Sequence, residues 1–309
     1  MLHAASSTAP FASNNILAIG ADGSGSIDAS NSKVARHFIK VPVLSHLSPR
    51  LSPRFTNSCH LTFGVVGDLD RALTINANHL SALALLDAAE TLRESSSLIC
   101  IKGFNLRDDL IGFRRLPGFP RALLKLTPNY WHSLSGKRRS DLLRQRRAAR
   151  DIRREIVDGF PTEFADEILA LYRQTRANAR LKLLNHDLSY FKQTSPASSY
   201  LLYFQEHRLI AFHQMVAVDR TLYSQYVGMD YAVSKPLRLY FNLLLDCIDF
   251  ALQASFSEID FGITSYRYKQ HIGCELQATW NYFQISNRYM AWALPLFDSL
   301  LSPRREMLE

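Results

Sequence analysis

The stretch YLLYFQEHRLIAFHQMVAVDRTLYSQYVGMD, residues 200–230, decides the fold of this chain. Two apolar runs, Tyr200 to Gln205 and Leu209 to Val218, flank the polar Glu206-His207-Arg208, which is the spacing of a β-hairpin. After Asp219-Arg220 aromatic and polar residues alternate from Thr221 to Asp230, so a third strand completes an antiparallel meander. Then the period changes. Leu237, Tyr240, Phe241, Leu244, Ile248, Ala251 and Leu252 recur at three- and four-residue steps, and Pro236 suits a first helical position, which predicts a buried amphipathic helix from Pro236 to Gln253. Ser257 to Gly262 reads as a short central strand. A polar segment carrying Tyr266, Lys269 and Gly273 precedes one more strand, Leu276 to Ile285.

Upstream, His60 to Val66, Leu98 to Ile101 and Arg121 to Leu126 read as strands, and Ala77 to Leu92 as a helix with Leu80, Leu83, Ala84 and Ala88 on one side. The chain has 309 residues and is 47% hydrophobic, enough for one large or two fused domains. Residues 1–35 are rich in Ser, Ala, Asn and Gly without sustained periodicity, as in a disordered leader. No basic residue precedes the short apolar run Ile16 to Ile19, and no later run reaches the apolar length of a membrane helix. The expectation is therefore a soluble cytoplasmic protein.

Cys59, Cys100, Cys247 and Cys274 show no paired spacing and read as free thiols of a reducing compartment. His271-x-x-Cys274 lacks a second ligand pair, so no metal site is expected. The sequence has no G-x-S-x-G, P-loop or G-x-G-x-x-G, and Gly23-Ser24-Gly25 sits in the leader.

Charge is concentrated. Nine basic and two acidic residues lie between Lys137 and Arg154, seven of the eight net positive charges of the chain. Leu142, Ala149, Ile152 and Ile156 fall on one helical side and Arg139, Arg146, Arg150 and Arg153 on the other, which predicts a packed helix with a cationic face. Such a face is either solvated or holds closely spaced phosphates. Those phosphates would belong to a nucleotide-bearing acyl donor or to a transfer RNA bound through Lys137, Arg138, Arg139, Arg146, Arg150 and Arg153.

The order strand, strand, strand, helix, strand, short helix, strand resembles the acyl-transfer half of the GNAT superfamily of N-acetyltransferases. Val227-Gly228-Met229-Asp230, Asp260-Phe261-Gly262 and Tyr266-x-x-Lys269-x-x-x-Gly273 resemble the C-terminal half of the bacterial Fem-like acyltransferases, tandem GNAT-fold relatives of the peptidoglycan aminoacyltransferases. Tyr130, Trp131 and Leu134 before Lys137-Arg138 are similar in kind to the helix joining the halves in that family. The resemblance implies a mixed α/β fold with two tandem GNAT-like halves and mixed central sheets. It divides the chain into the leader 1–35, a degenerate N-terminal half at 36–158 ending in the basic helix, and an acyltransferase domain at 159–309.

The resemblance also implies a site. Two parallel strands part beside the main helix, and the matching positions, Tyr226, Val227 and Gly228 on one strand and Gly262 on the other, would hold the donor's arm. The donor's phosphates would meet the helix entry, where Lys235 and Arg238 add charge, and Lys269 suits a carboxylate or phosphate. The superfamily's Gly-rich phosphate loop is replaced by Tyr231-Ala232-Val233-Ser234-Lys235-Pro236-Leu237-Arg238. With no glycine and one N–H fewer, it predicts weak coenzyme A binding.

Acyl transfer to an amine needs a base, donors for the oxyanion and an acid for the leaving group. Asp230 is the candidate base or amine anchor, or equally a helix cap; Tyr266 is the candidate proton donor, or a packing residue. His213 falls on the side opposite Phe212, and Tyr203, Phe212, Tyr223 and Tyr226 would line an aromatic cleft for the acceptor. The activity implied is N-acyl transfer from an acyl-coenzyme A or aminoacyl-tRNA co-substrate to a small-molecule amine or peptide, with no permanently bound cofactor. A non-catalytic protein of the same fold, binding RNA or a partner through its basic helix, is the alternative.

Overall fold

A computed structural model of the protein describes residues 111–179, 186–193, 198–218, 220–285 and 295, together with the backbone of three strands nearer the N-terminus. The leader and the helix expected from Ala77 to Leu92 lie outside the described residues. The three early strands are β1 (Arg36–His37), β2 (Phe63–Val66) and β3 (Leu98–Phe104), followed by β4 (Arg114–Pro117) and β5 (Arg121–Lys125). Helices α1 (Tyr130–Ser133) and α2 (Gly136–Arg147) lead into β6 (Arg153–Asp158), α3 (Ala165–Asn178) and α4 (Leu188–Gln193). The meander follows as β7 (Ser198–Gln205), β8 (Arg208–Val218) and β9 (Thr221–Met229). The chain then forms α5 (Tyr231–Ser234), α6 (Leu239–Gln253), β10 (Glu258–Asp260), α7 (Tyr266–His271), β11 (Glu275–Gln277) and β12 (Trp280–Ile285).

These strands build two mixed sheets. One runs β1-β2-β3-β12-β4 and the other β11-β5-β10-β9-β8-β7-β6. The sheets exchange strands: β5, early in the chain, pairs antiparallel with both β10 and β11, while β12, the last described strand, lies between β3 and β4. Leu276 to Ile285 is accordingly two strands in two sheets rather than one. The chain crosses between sheets at Thr279, whose hydroxyl donates to the Phe119 carbonyl and whose carbonyl accepts from the Gly118 amide. A Cβ on Gly118 would lie 2.5 Å from the Thr279 hydroxyl, so only glycine admits this crossing.

The meander is buried on both faces, and its alternation sorts side chains between two cores. Leu201, Tyr203, Ala211, Met215 and Leu222 pack beneath α6. Tyr200, Leu202, Phe204 and Phe212 meet Ile168, Leu171 and Tyr172 of α3 and Tyr190 and Phe191 of α4 on the opposite face. His213 falls on the α6 side, fully buried, with one ring nitrogen 2.7 Å from the Ser224 hydroxyl and the other 3.2 Å from the Leu243 carbonyl. It is a satisfied core histidine.

Two helices differ from expectation. α6 begins at Leu239, because Lys235 to Arg238 form a turn that closes with Arg238 in the left-handed region at φ 50°. The buried Asn242 amide donates to the carbonyls of Leu237 and Arg238, tying that turn to the helix. The basic helix α2 ends at Arg147, and the chain turns through residues 148–151 into edge strand β6. Leu142, Ala149 and Ile152 are buried as the pattern requires, but Ile156 is half exposed and Arg153 stands on a strand. No helix among the described residues is long and apolar enough to cross a membrane.

Candidate active site

Strands β9 and β10 run parallel and stay in register for three pairs: Thr221 with Glu258, Leu222 with Ile259 and Tyr223 with Asp260. There they part. Phe261 and Gly262 continue to pair with β5 through Ala122, which accepts from the Phe261 amide at 2.9 Å and donates to the Gly262 carbonyl at 3.0 Å. β9 meanwhile carries a bulge at Gln225, where the β8 register jumps from Gln214–Tyr226 to Met215–Ser224. An extra residue bends and twists its strand and ends pairing. Beyond Tyr223 that edge of β9 pairs with no strand among the described residues, which parts it from Phe261–Ile263, and at its end the Met229 amide donates to the Thr175 hydroxyl of α3 at 3.0 Å.

Both walls are braced from behind. On the β10 side Asp260 is fully buried, bonds Arg121 through Nε at 2.6 Å and through Nη2, and accepts from the Gly262 amide at 2.6 Å. Burial works against the Arg121 charge, yet Asp260 more than offsets it and holds the guanidinium above its ordinary range. On the β9 side Gly228 sits under α3. A Cβ there would run into the Phe212 ring and come within 2.9 Å of the Leu171 backbone.

The expected site residues divide. Tyr226, Val227, Gly228 and Gly262 stand on the two parting strands, and Lys235 and Arg238 are exposed at the entry of α6. That 15-residue helix has no side-chain cap, and its positive dipole end lies beside these two cations. The preceding turn uses its own amides, however: Leu237 donates to the Val233 carbonyl and Arg238 to the Lys235 carbonyl.

Asp230 takes the capping role. Its carboxylate accepts from the Ala232 amide at 2.9 Å and pairs with Arg208 at 2.7 Å, as the N-cap of α5. Tyr266 is buried, with its hydroxyl donating to the Pro120 carbonyl at 2.8 Å. Lys269 is also buried, and its ammonium donates to the Ile263 carbonyl at 2.7 Å and the Gly262 carbonyl at 3.4 Å, so it fixes the chain after β10. Cys274, beside it, is buried, and its thiol is pushed up to about 12 by that burial. His271 turns to the Asp141 carboxylate at 2.8 Å.

A pair that the sequence did not reveal stands at the opening. His186, at the entry of α4, places Nε2 2.8 Å from the Tyr226 hydroxyl on the unpaired part of β9. The imidazole stacks on Tyr190 at 3.8 Å between centroids, and the His186 amide donates to the Tyr172 hydroxyl. Tyr172, Tyr190 and Phe191 ring Tyr226 edge to face. An imidazole hydrogen-bonded to a phenol forms a couple through which a proton can be relayed. His186 lies 40 residues from Tyr226 in the sequence, so no local signal marks the pair.

The cationic face is only partly free. Arg146 turns inward, donating to Asp246 at 2.8 Å and Asp249 at 2.6 Å across the α2–α6 contact, and stacks on Trp131. Arg153 pairs with Glu155 and lies over Phe204. Lys137, Arg138, Arg147 and Arg150 are exposed, Arg139 is half-buried, and Arg150 sits 3.2 Å from Asp151.

Residues 136–270 match the family model of the acetyltransferase (GNAT) domain. No curated protein matches the sequence. Among solved structures, the chain is similar to L-PGS from Bacillus licheniformis, with a TM-score of 0.54, 12% identity and coverage of 72% of this chain and 79% of that one. It is also similar to the C-terminal domain of a putative lysylphosphatidylglycerol synthetase from Agrobacterium fabrum, with a TM-score of 0.52, 13% identity and coverage of 77% and 81%. A structure of FemX gives a TM-score of 0.51 at 14% identity, with coverage of 78% and 83%. At these identities the likeness is one of fold, and the activity class comes from the domain match, whose members take acyl groups from acyl-coenzyme A as a co-substrate. The parted strands, the main helix and the domain match converge on one part of the chain: residues 136–270 match the acetyltransferase (GNAT) domain, on a mixed α/β fold similar to that of FemX.

Proposed function

We propose that this protein is an N-acyltransferase that takes its acyl group from acyl-coenzyme A, held weakly, and passes it to an amine. The opening between β9 and β10 carries this reading, because the two strands part beside an uncapped helix entry with Lys235 and Arg238. The edge of β9 would hold the donor's amide-bearing arm and α6 its phosphates, with fewer backbone donors than a glycine-rich loop supplies. The amine forms a C–N bond to the acyl carbon, the C–S bond breaks, and the proton lost by the amine passes to the Tyr226–His186 pair while the departing thiolate is protonated. Amides along the open edge of β9 are the candidate oxyanion donors. The buried free thiols of Cys247 and Cys274 support a reducing compartment such as the cytoplasm.

A second donor, aminoacyl-tRNA, is favoured by the exposed Lys137, Arg138, Arg147 and Arg150. One experiment separates the two. Purified protein is incubated with labelled acetyl-coenzyme A or labelled aminoacyl-tRNA and a panel of primary amines, and label is followed into product. Transfer from the thioester with donor affinity weaker than micromolar supports the first reading, transfer from the RNA alone supports the second, and label in neither overturns both.

A further inference from the structure

A cavity of about 570 Å³ lies away from the acyl-transfer opening, between the end of α2, the turn after it, β6 and the middle of α6. β6 is the edge of the large sheet, and β7 and β8 separate it from β9. The volume is that of a small-molecule site. Its walls are Leu143, Arg146, Arg147, Arg150, Arg154 and Asp246, so four guanidinium groups face one carboxylate.

Two of the four are spent. Arg154 donates to Asp246 at 2.7 Å and to the carbonyls of Ala149 and Ile152, and Asp246 also accepts from the Tyr203 hydroxyl. Arg146 is bound by Asp246 and Asp249 through Nη2, but its Nε is buried without a hydrogen-bond partner. Arg147 forms no ion pair among the described residues, and Arg150 meets only the exposed Asp151. The C-terminal end of the α2 dipole favours cations in this turn, which helps assemble the charges but does not neutralise them.

We infer that this cavity binds a small phosphorylated molecule, whose phosphate is held by the exposed Arg147 and Arg150 at the rim, with Arg146 and Arg154 adding positive charge from the wall. Guanidinium forks match phosphate oxygens in pairs, which suits a compact dianion. A nucleic acid would instead follow the exposed face through Lys137 and Arg138 and give a steep salt dependence. The inference is independent of the choice of acyl donor.

Calorimetric titration of the full chain with inorganic phosphate, in phosphate-free buffer and with melting temperature recorded in parallel, tests it. Phosphate should bind one site and raise the melting temperature, since a ligand of the native state stabilises it. Arg147→Ala with Arg150→Ala should weaken binding by about tenfold or more while leaving the ligand-free melting temperature unchanged, because both residues are exposed. Arg147→Lys with Arg150→Lys should retain part of the affinity. Lys235→Ala with Arg238→Ala, at the entry of α6, should leave the phosphate affinity of this cavity unchanged. Equal phosphate affinity in the alanine double variant, loss of it in the α6 variant, or no heat and no melting shift at all would overturn the site. So would binding of bulk tRNA or phosphatidylglycerol vesicles through Arg147 and Arg150 with phosphate inert.

Discussion

Arg121 and Asp260, 139 residues apart, form a buried ion pair that fastens β5 to β10 at the point where β10 leaves β9. Asp260 also holds the Gly262 amide, so one carboxylate sets both the sheet contact and the far wall of the opening. Arg121→Ala leaves that carboxylate buried and unpaired and should cost about 3–5 kcal/mol in urea denaturation. Arg121→Met combined with Asp260→Leu should recover much of the loss while still lowering activity, because the Gly262 anchor is gone.

Gly228 lets α3 lie directly on β9, with Leu171 and Phe212 against its Cα. Gly228→Ala should overpack this contact and lower stability by about 1–3 kcal/mol. Chemical denaturation compared with the parent checks it, and a stability equal to the parent would show that α3 moves freely aside.

If Tyr226 and His186 carry the proton, His186→Ala and Tyr226→Phe should each lower kcat by about a hundredfold and leave KM for the donor nearly unchanged. Asp230→Asn, at the helix cap, should instead act on stability, by about 1 kcal/mol. Steady-state kinetics and melting of the three variants together distinguish the roles.

Reversing charge on the basic segment should depend on position. Arg147→Glu and Arg150→Glu stand on exposed side chains and should shift stability by less than about 0.5 kcal/mol. Arg146→Glu would set a third carboxylate beside Asp246 and Asp249 and should cost at least about 2 kcal/mol. Thermal melting of the single variants reads the difference directly.

Stability should fall at alkaline pH. Burial, and then the Asp246 carboxylate, hold the Tyr203 hydroxyl well above its ordinary range, and burial raises Tyr130 as well. Folded-state values above the unfolded one mean that this stabilisation is complete below about pH 10 and is lost as pH rises beyond it. Denaturation midpoints at pH 8, 10 and 11 should therefore decline, and Tyr203→Phe should flatten the decline.

The sequence by itself determined the elements with strong local period. The meander from Ser198 to Met229 and the helix from Leu239 to Gln253 are legible because their alternation and three-to-four-residue steps record which side of each segment is buried. The parting of β9 and β10 was legible at Tyr226 and Gly262 through the resemblance alone. The left-handed turn at Arg238 and the end of α2 at Arg147 were not, since charged residues satisfy a helical pattern and a turn equally well.

Tertiary structure decided the rest. That Arg121–Lys125 enters the large sheet and Trp280–Ile285 the other depends on pairings between segments more than a hundred residues apart, for which a single strand's pattern holds no address. The same holds for side chains. Arg146 reads as one more exposed cation until Asp246 and Asp249 meet it across the helix contact, and only packing gives the buried polar ends of Lys269 and Tyr266 their backbone carbonyl partners. His186 reads as an isolated histidine until the fold brings it to the Tyr226 hydroxyl. Local sequence specifies which faces must be buried; only packing specifies which polar group each buried or half-buried one meets.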